Sequence, residues 1–109
     1  MTTITIFQSA DGTYKGVRCE GHAGFAERGS DIVCAAVSIL VINTVNAIEA
    51  FSEQKFSCEQ DAENGSIFLE LAEYPEREAV LLLDTMVLGL KQVAQQYGKK
   101  YLRVKYKEV

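Results

Sequence analysis

A single histidine, a single proline and no tryptophan occur in this chain of 109 residues, and its three cysteines form no CxxC pair. One imidazole and no paired thiols are too few ligands for a structural zinc site, so no metal is expected. An odd cysteine count without the spacing of a disulfide framework points to a reducing compartment, and the cytoplasm is the expected location. The first residues, Met1-Thr2-Thr3-Ile4-Thr5-Ile6, alternate and lack the basic n-region of a secretory signal. Positive charge is in deficit: 11 Lys and Arg stand against 15 Asp and Glu, a net charge of -4. Non-specific nucleic-acid binding needs a basic footprint, so no direct nucleic-acid partner is expected. The unbroken apolar run after residue 31 is too short to span a bilayer, which excludes a membrane partner at this stage.

What is present is enough for a core. Hydrophobic residues make up 48% of the chain and charged residues 24%, a globular composition on a length that suits one domain, residues 1–109. Thr2 to Gln8 alternates around Ile4 and Ile6, and Tyr14 to Glu20 follows after the turn signal Asp11-Gly12, which predicts a hairpin. From Ile32 to Phe51 the sequence is apolar almost all round. Its length favours a central helix, covered by a sheet and by another helix or a second subunit. Lys55 to Gln60 and Ser66 to Leu71 flank Asn64-Gly65 as a second hairpin. Pro75 is placed to begin a helix that runs from Glu76 to Tyr97, with Gly98 as its cap. Leu102, Val104 and Tyr106 alternate in a last strand. The expected fold class is α+β, a two-layer β-β-α-β-β-α-β arrangement with a mixed sheet and both helices packed on one face.

The chemistry is concentrated between Gly21 and Cys34. This stretch holds the only histidine, His22, a cysteine twelve residues later, and the glycines Gly21, Gly24 and Gly29. Ser30 or Asp31 supplies an N-cap for the central helix, so Cys34 falls in its first turn, where the macrodipole favours a thiolate. Asp31, Cys34 and Ser38 have spacings that can share one helix face. Asp31 can cap the helix or hold the tautomer of His22, as the third group of a triad does. Ser38 can bond near the thiol or back to a helix carbonyl. Gly21, Gly24 and Gly29 suit either a mobile lid that carries His22 or a plain connection, and Phe25 within it is a candidate hinge or substrate contact. Backbone N–H groups at the helix start are candidates for an oxyanion hole. Cys19 and Cys58 lie on apolar strand faces and read as inert core thiols, with a resolving role for Cys19 as the sharper alternative.

Gly21-His22-Ala23, a seven-residue gap, and Asp31-Ile32-Val33-Cys34-Ala35-Ala36-Val37-Ser38 together resemble the signature of the bacterial ribosomal-processing cysteine protease family Prp. Asn46-Ala47-Ile48, the chain length and the element order fit the same family. The resemblance implies a cysteine endopeptidase with Cys34 as nucleophile and His22 as proton donor and acceptor, working without a cofactor. It further implies a homodimer that removes the N-terminal extension of a large-subunit ribosomal protein, the one numbered twenty-seven, by cutting after an aromatic residue. Two other readings compete: a non-catalytic dimeric binding module in ribosome assembly, and a thiol redox sensor built on Cys19 and Cys34.

Overall fold

The computed structural model describes residues 1–21, 31–61, 63 and 65–109. Strand β1 (Thr2–Gln8) turns through Asp11-Gly12 into β2 (Tyr14–Glu20). Helix α1 (Ile32–Phe51) leads to β3 (Phe56–Asp61) and β4 (Ser66–Leu71), and helix α2 (Arg77–Tyr97) leads to β5 (Leu102–Glu108). The strands form one mixed sheet in the order β3-β4-β2-β1-β5. Every neighbouring pair is antiparallel except β1 with β5. The expected class and element order are what the structure shows.

Both helices lie on one face because of the connections. α1 joins β2 to β3 and α2 joins β4 to β5; β2 and β4 run in opposite directions, and the two crossovers move to opposite sides of the sheet. Crossovers of the same hand then put their helices on the same side. Register does the rest. Ile4 opposes Cys19 and Ile6 opposes Val17, while Val17 and Cys19 oppose Leu69 and Ile67 in turn, so one apolar row crosses the strands. That row meets Val33, Val37, Val41 and Ile48 of α1 and Leu83, Met86 and Leu90 of α2 in a single buried cluster. The two helices approach closely at Gly89, where a β-carbon would lie 3.0 Å from the Leu40 side chain. On the other face of the sheet the Arg18 guanidinium covers the Phe7 and Phe68 rings, at 5.4 and 4.7 Å from their centroids.

Two boundaries differ from the sequence expectation. β3 starts at Phe56 rather than Lys55. Pro75 sits one residue before the N-cap Glu76 instead of inside the helix. The reason is Gln54, a buried side chain whose Oε1 accepts the Glu76 backbone N–H and whose Nε2 reaches the carbonyls of Lys55 and Glu73. Gln54 thus ties the end of the first crossover to the start of the second. Contrary to the expectation of a run too short to span a bilayer, α1 is long and apolar enough to cross a membrane by length and composition, with a mean hydropathy of 1.9, because the helix continues past Ile42 to Phe51. One stripe of it, Val33, Val37, Val41, Val45 and Ile48, packs into the core cluster, and Ile32, Ile39 and Phe51 are exposed.

Candidate active site

α1 begins where its sequence says it should. Asp31 has extended backbone angles, and its Oδ1 accepts the N–H groups of Val33 at 2.9 Å and Cys34 at 3.0 Å. Asp31 is therefore the N-cap and Cys34 the third helical residue. A cap of this kind stabilises the helix by about 1 kcal/mol. The cap also has a consequence for chemistry. The Val33 and Cys34 N–H groups are committed to Asp31, so the expectation that the helix-start N–H groups hold an oxyanion fails for these two.

Cys34 is half-buried and opens onto a cavity of about 270 Å³. One wall is α1, presenting Cys34, Ser38 and Ile42, and the other is the β3-β4 hairpin, presenting Gln60, Asp61 and Ser66. Val37, Cys19 and Ile67 supply an apolar lining, and Thr2 and Gly21 close the end nearest the thiol. The volume falls just below the lower bound of about 300 Å³ for small-molecule sites, a size for one or two peptide side chains. The hairpin rim beyond it is acidic, with Glu59, Asp61 and Glu63 all exposed.

The Thr2 hydroxyl lies 4.0 Å from the Cys34 sulfur, the outer limit of a hydrogen bond to sulfur, and Thr2 is itself buried. Thr2 escaped notice in the sequence. The available signal was its place on the face shared by Ile4 and Ile6, a polar residue where the alternation calls for an apolar one. Gln60, Asp61 and Ser66 carry no local signal, because only the sheet order brings the hairpin beside α1.

Gly21 follows β2 with φ 85°, and a β-carbon there would lie 2.6 Å from the Met1 carbonyl oxygen. That position is one only glycine can fill. His22, Gly24, Phe25 and Gly29 lie outside the described residues, as does Ser30. Ser38 lines the cavity but is exposed, and among the described residues its hydroxyl bonds neither the thiol nor a helix carbonyl, so neither role considered for it is observed.

The other two thiols differ. Cys19 is buried and its pKa is pushed up from 9.0 to about 11, first by burial, then by its neighbours Cys34 and Glu20. Cys58 is half-buried, and burial raises its thiol as well. None of the three cysteines is in a disulfide. Among the described residues no group of three His, Cys, Asp or Glu side chains could hold a metal.

A family model for cysteine protease Prp matches residues 1–102. The ribosomal processing cysteine protease Prp of Staphylococcus aureus is 31% identical over 107 residues, covering 98% of this chain and 100% of the relative. The protein of the same name from Bacillus subtilis is 33% identical over 108 residues, covering 95% of this chain and 96% of its own. The crystal structure of an essential ribosomal processing protease Prp from S. aureus in complex with a covalently linked product peptide is similar in fold. Its TM-score is 0.92 at 31% identity, with 98% of this chain and 100% of the other covered. The S. aureus protease in complex with a substrate peptide gives a TM-score of 0.87 at 30% identity, covering 98% of this chain and 100% of the other. With its fold, its first-turn cysteine and these relatives in agreement, the chain belongs to the cysteine protease Prp family.

Proposed function

We propose that this chain is an endopeptidase that matures a ribosomal protein, with Cys34 as nucleophile and His22 as general acid and base. The observation that carries the reading is the position of Cys34, in the first turn of α1 and open to a peptide-sized cavity. The substrate proposed is the N-terminal extension of the large-subunit ribosomal protein numbered twenty-seven, cut after an aromatic residue. The exposed carboxylates at Glu59, Asp61 and Glu63 suit a basic substrate, and would quicken its approach in a salt-sensitive way.

In this mechanism the Cys34 thiolate attacks the scissile carbonyl and forms a tetrahedral oxyanion. His22 protonates the departing amine, leaving a thioester on Cys34, then takes a proton from water as that water hydrolyses it. The oxyanion is held by donors other than the Val33 and Cys34 N–H groups, which Asp31 occupies. Asp31 caps the helix. The protein acts as a homodimer in the cytoplasm. Ile39, 69% exposed on α1, and Leu81 and Leu88 on α2 provide apolar surface for a second copy, and three cysteines outside any disulfide fit a reducing compartment.

The test is cleavage of purified substrate protein bearing its extension. Cys34→Ala and His22→Ala should each abolish processing, a loss of about 10³-fold or more, with circular dichroism unchanged. Full activity in either variant overturns the dyad.

A further inference from the structure

The chain's deficit of positive charge is an average over two unlike parts. From residue 91 to the C-terminus stand Lys91, Lys99, Lys100, Arg103, Lys105 and Lys107 against a single carboxylate, Glu108. That is six of the 11 basic residues, so residues 1–90 hold the other five with 14 of the 15 acidic ones. The fold converts this sequence bias into a spatial one. β5 forms one edge of the sheet and the acidic β3 the other.

On the basic edge, the end of α2 and β5 enclose a groove of about 490 Å³. Its floor is Ala94, Leu102 and Val104, and its rims are Lys91, Lys99, Arg103 and Lys105, with no carboxylate among the lining residues. All six cationic residues are exposed, and no carboxylate among the described residues pairs with any of them. Arg103, Lys105 and Lys107 alternate along β5, which spaces them about 6.6 Å apart in a row. On the helix-side face two tyrosines join the other lysines: the Lys91 ammonium lies 5.0 Å from the centre of the Tyr106 ring, and that of Lys100 5.8 Å from Tyr101.

Lysines on an edge strand also guard it against pairing with other chains. That role accounts for Arg103, Lys105 and Lys107. It does not account for Lys91, Lys99 and Lys100, which lie on α2 and in the turn after it, nor for six cations against one carboxylate in an acidic protein.

We infer that this ridge binds the phosphate backbone of RNA, and so docks the protein on a ribosomal particle while the cavity at the other side of the sheet faces the peptide. Cations on both faces of one edge strand, joined on the helix side by lysines that lie over aromatic rings beside an apolar groove, are what tracking a nucleic-acid strand requires. The choice of RNA rests on the ribosomal reading of the family. Whole-chain charge argued against a nucleic-acid partner, and its segregation onto one edge removes that objection.

The test is fluorescence anisotropy with a labelled 20-nucleotide oligouridine and a 20-base-pair RNA duplex, from 50 to 200 mM salt. Two double variants of equal net charge are compared, Arg103→Glu with Lys105→Glu on the ridge and Lys15→Glu with Lys55→Glu away from it. Wild type should bind RNA, with the logarithm of affinity falling linearly against that of salt. The ridge pair should weaken binding by about tenfold or more and make the salt slope shallower by about 1.4 for the single strand, while the control pair changes affinity less than about threefold. Thermal melts check that both pairs fold. No RNA binding at 50 mM salt, equal losses in the two pairs, or equal competition by polyglutamate or phosphatidylserine vesicles would overturn the inference. Cleavage of a free peptide is measured alongside and should be unaffected by the ridge pair. Peptide cleavage without RNA binding overturns the ridge alone; RNA binding without cleavage overturns the protease reading alone.

Discussion

Cys19 and Cys34 line one cavity from opposite walls, and their surroundings prepare them for different chemistry. Cys19 projects from the middle of the sheet into the core, and its thiol, pushed up to about 11, keeps its proton at neutral pH. Cys34 stands in the first turn of a helix, half-exposed at the rim of the cavity, where a peptide can reach its sulfur. The lesson is that the element, more than the cavity, decides which sulfur is available. A strand delivers its side chain into the packed layer; a helix start delivers it to the layer's rim.

The sharpest way to break this comparison is to remove each sulfur in turn. Cys19→Ala should leave peptide turnover within a few-fold of wild type, whereas Cys34→Ala should leave none. Iodoacetamide labelling followed by mass spectrometry gives a parallel measure. At pH 7.5 Cys34 should label first, and Cys19, with under about one thiolate in a thousand, should resist. A Cys19–Cys34 disulfide trapped rapidly by mild oxidant would instead favour the redox-sensor reading.

The next effect is on stability in alkali. The unfolded chain loses the Cys19 proton near pH 9 while the folded chain holds it to about 11. The stability riding on that proton is therefore complete below pH 9 and is lost as pH rises from about 9 to about 11. The loss is at most about 2–3 kcal/mol. Urea midpoints measured across this range should fall less in Cys19→Ala than in wild type. Tyr14 donates its hydroxyl to Asp84 and, through burial first and that bond second, stays protonated well above its ordinary range, so it adds a separate decline above pH 10. Tyr14→Phe should remove that second part.

Asp31 sharpens the Cys34 side. Asp31→Ala should cost about 1–2 kcal/mol of stability through the lost cap, read from urea midpoints. Asp31→Asn keeps a capping oxygen and should recover most of it. If turnover in the Asn variant drops well beyond its stability loss, Asp31 also positions His22; equal losses assign it to the cap alone.

The smallest effect is expected at Thr2. Thr2→Val should lower turnover by about two- to fivefold, in line with one weak hydrogen bond of roughly 0.5–1 kcal/mol, and Thr2→Ser should restore it. The check is kcat measured against pH, because a group that touches the sulfur should move that profile and a merely structural one should not.

Much of this arrangement was legible before any coordinates. Strict alternation placed β1, β2 and β4, the Asp11-Gly12 pair placed the first turn, and Gly98 ended α2 as a cap, with φ 99° and its N–H on the Ala94 carbonyl. Asp31 was one of two caps the sequence offered, and the cap fixed the turn in which Cys34 sits. What stayed hidden depends on distance along the chain. Gln54 sets the start of α2 from 22 residues away, and Gln60, Asp61 and Ser66 face Cys34 only because β4 pairs with β2. Thr2 meets Cys34 across 32 residues. Periodicity reports which face a residue takes, not what the sheet order later sets opposite it.

The most direct measurement is to trap the acyl-enzyme. Substrate peptide is mixed with the protein, quenched in acid within milliseconds to seconds, digested and analysed by mass spectrometry. The account predicts a thioester carrying the N-terminal product on the peptide that contains Cys34, absent in Cys34→Ala. A thioester on Cys19 or Cys58, or undiminished cleavage by Cys34→Ala, would contradict it.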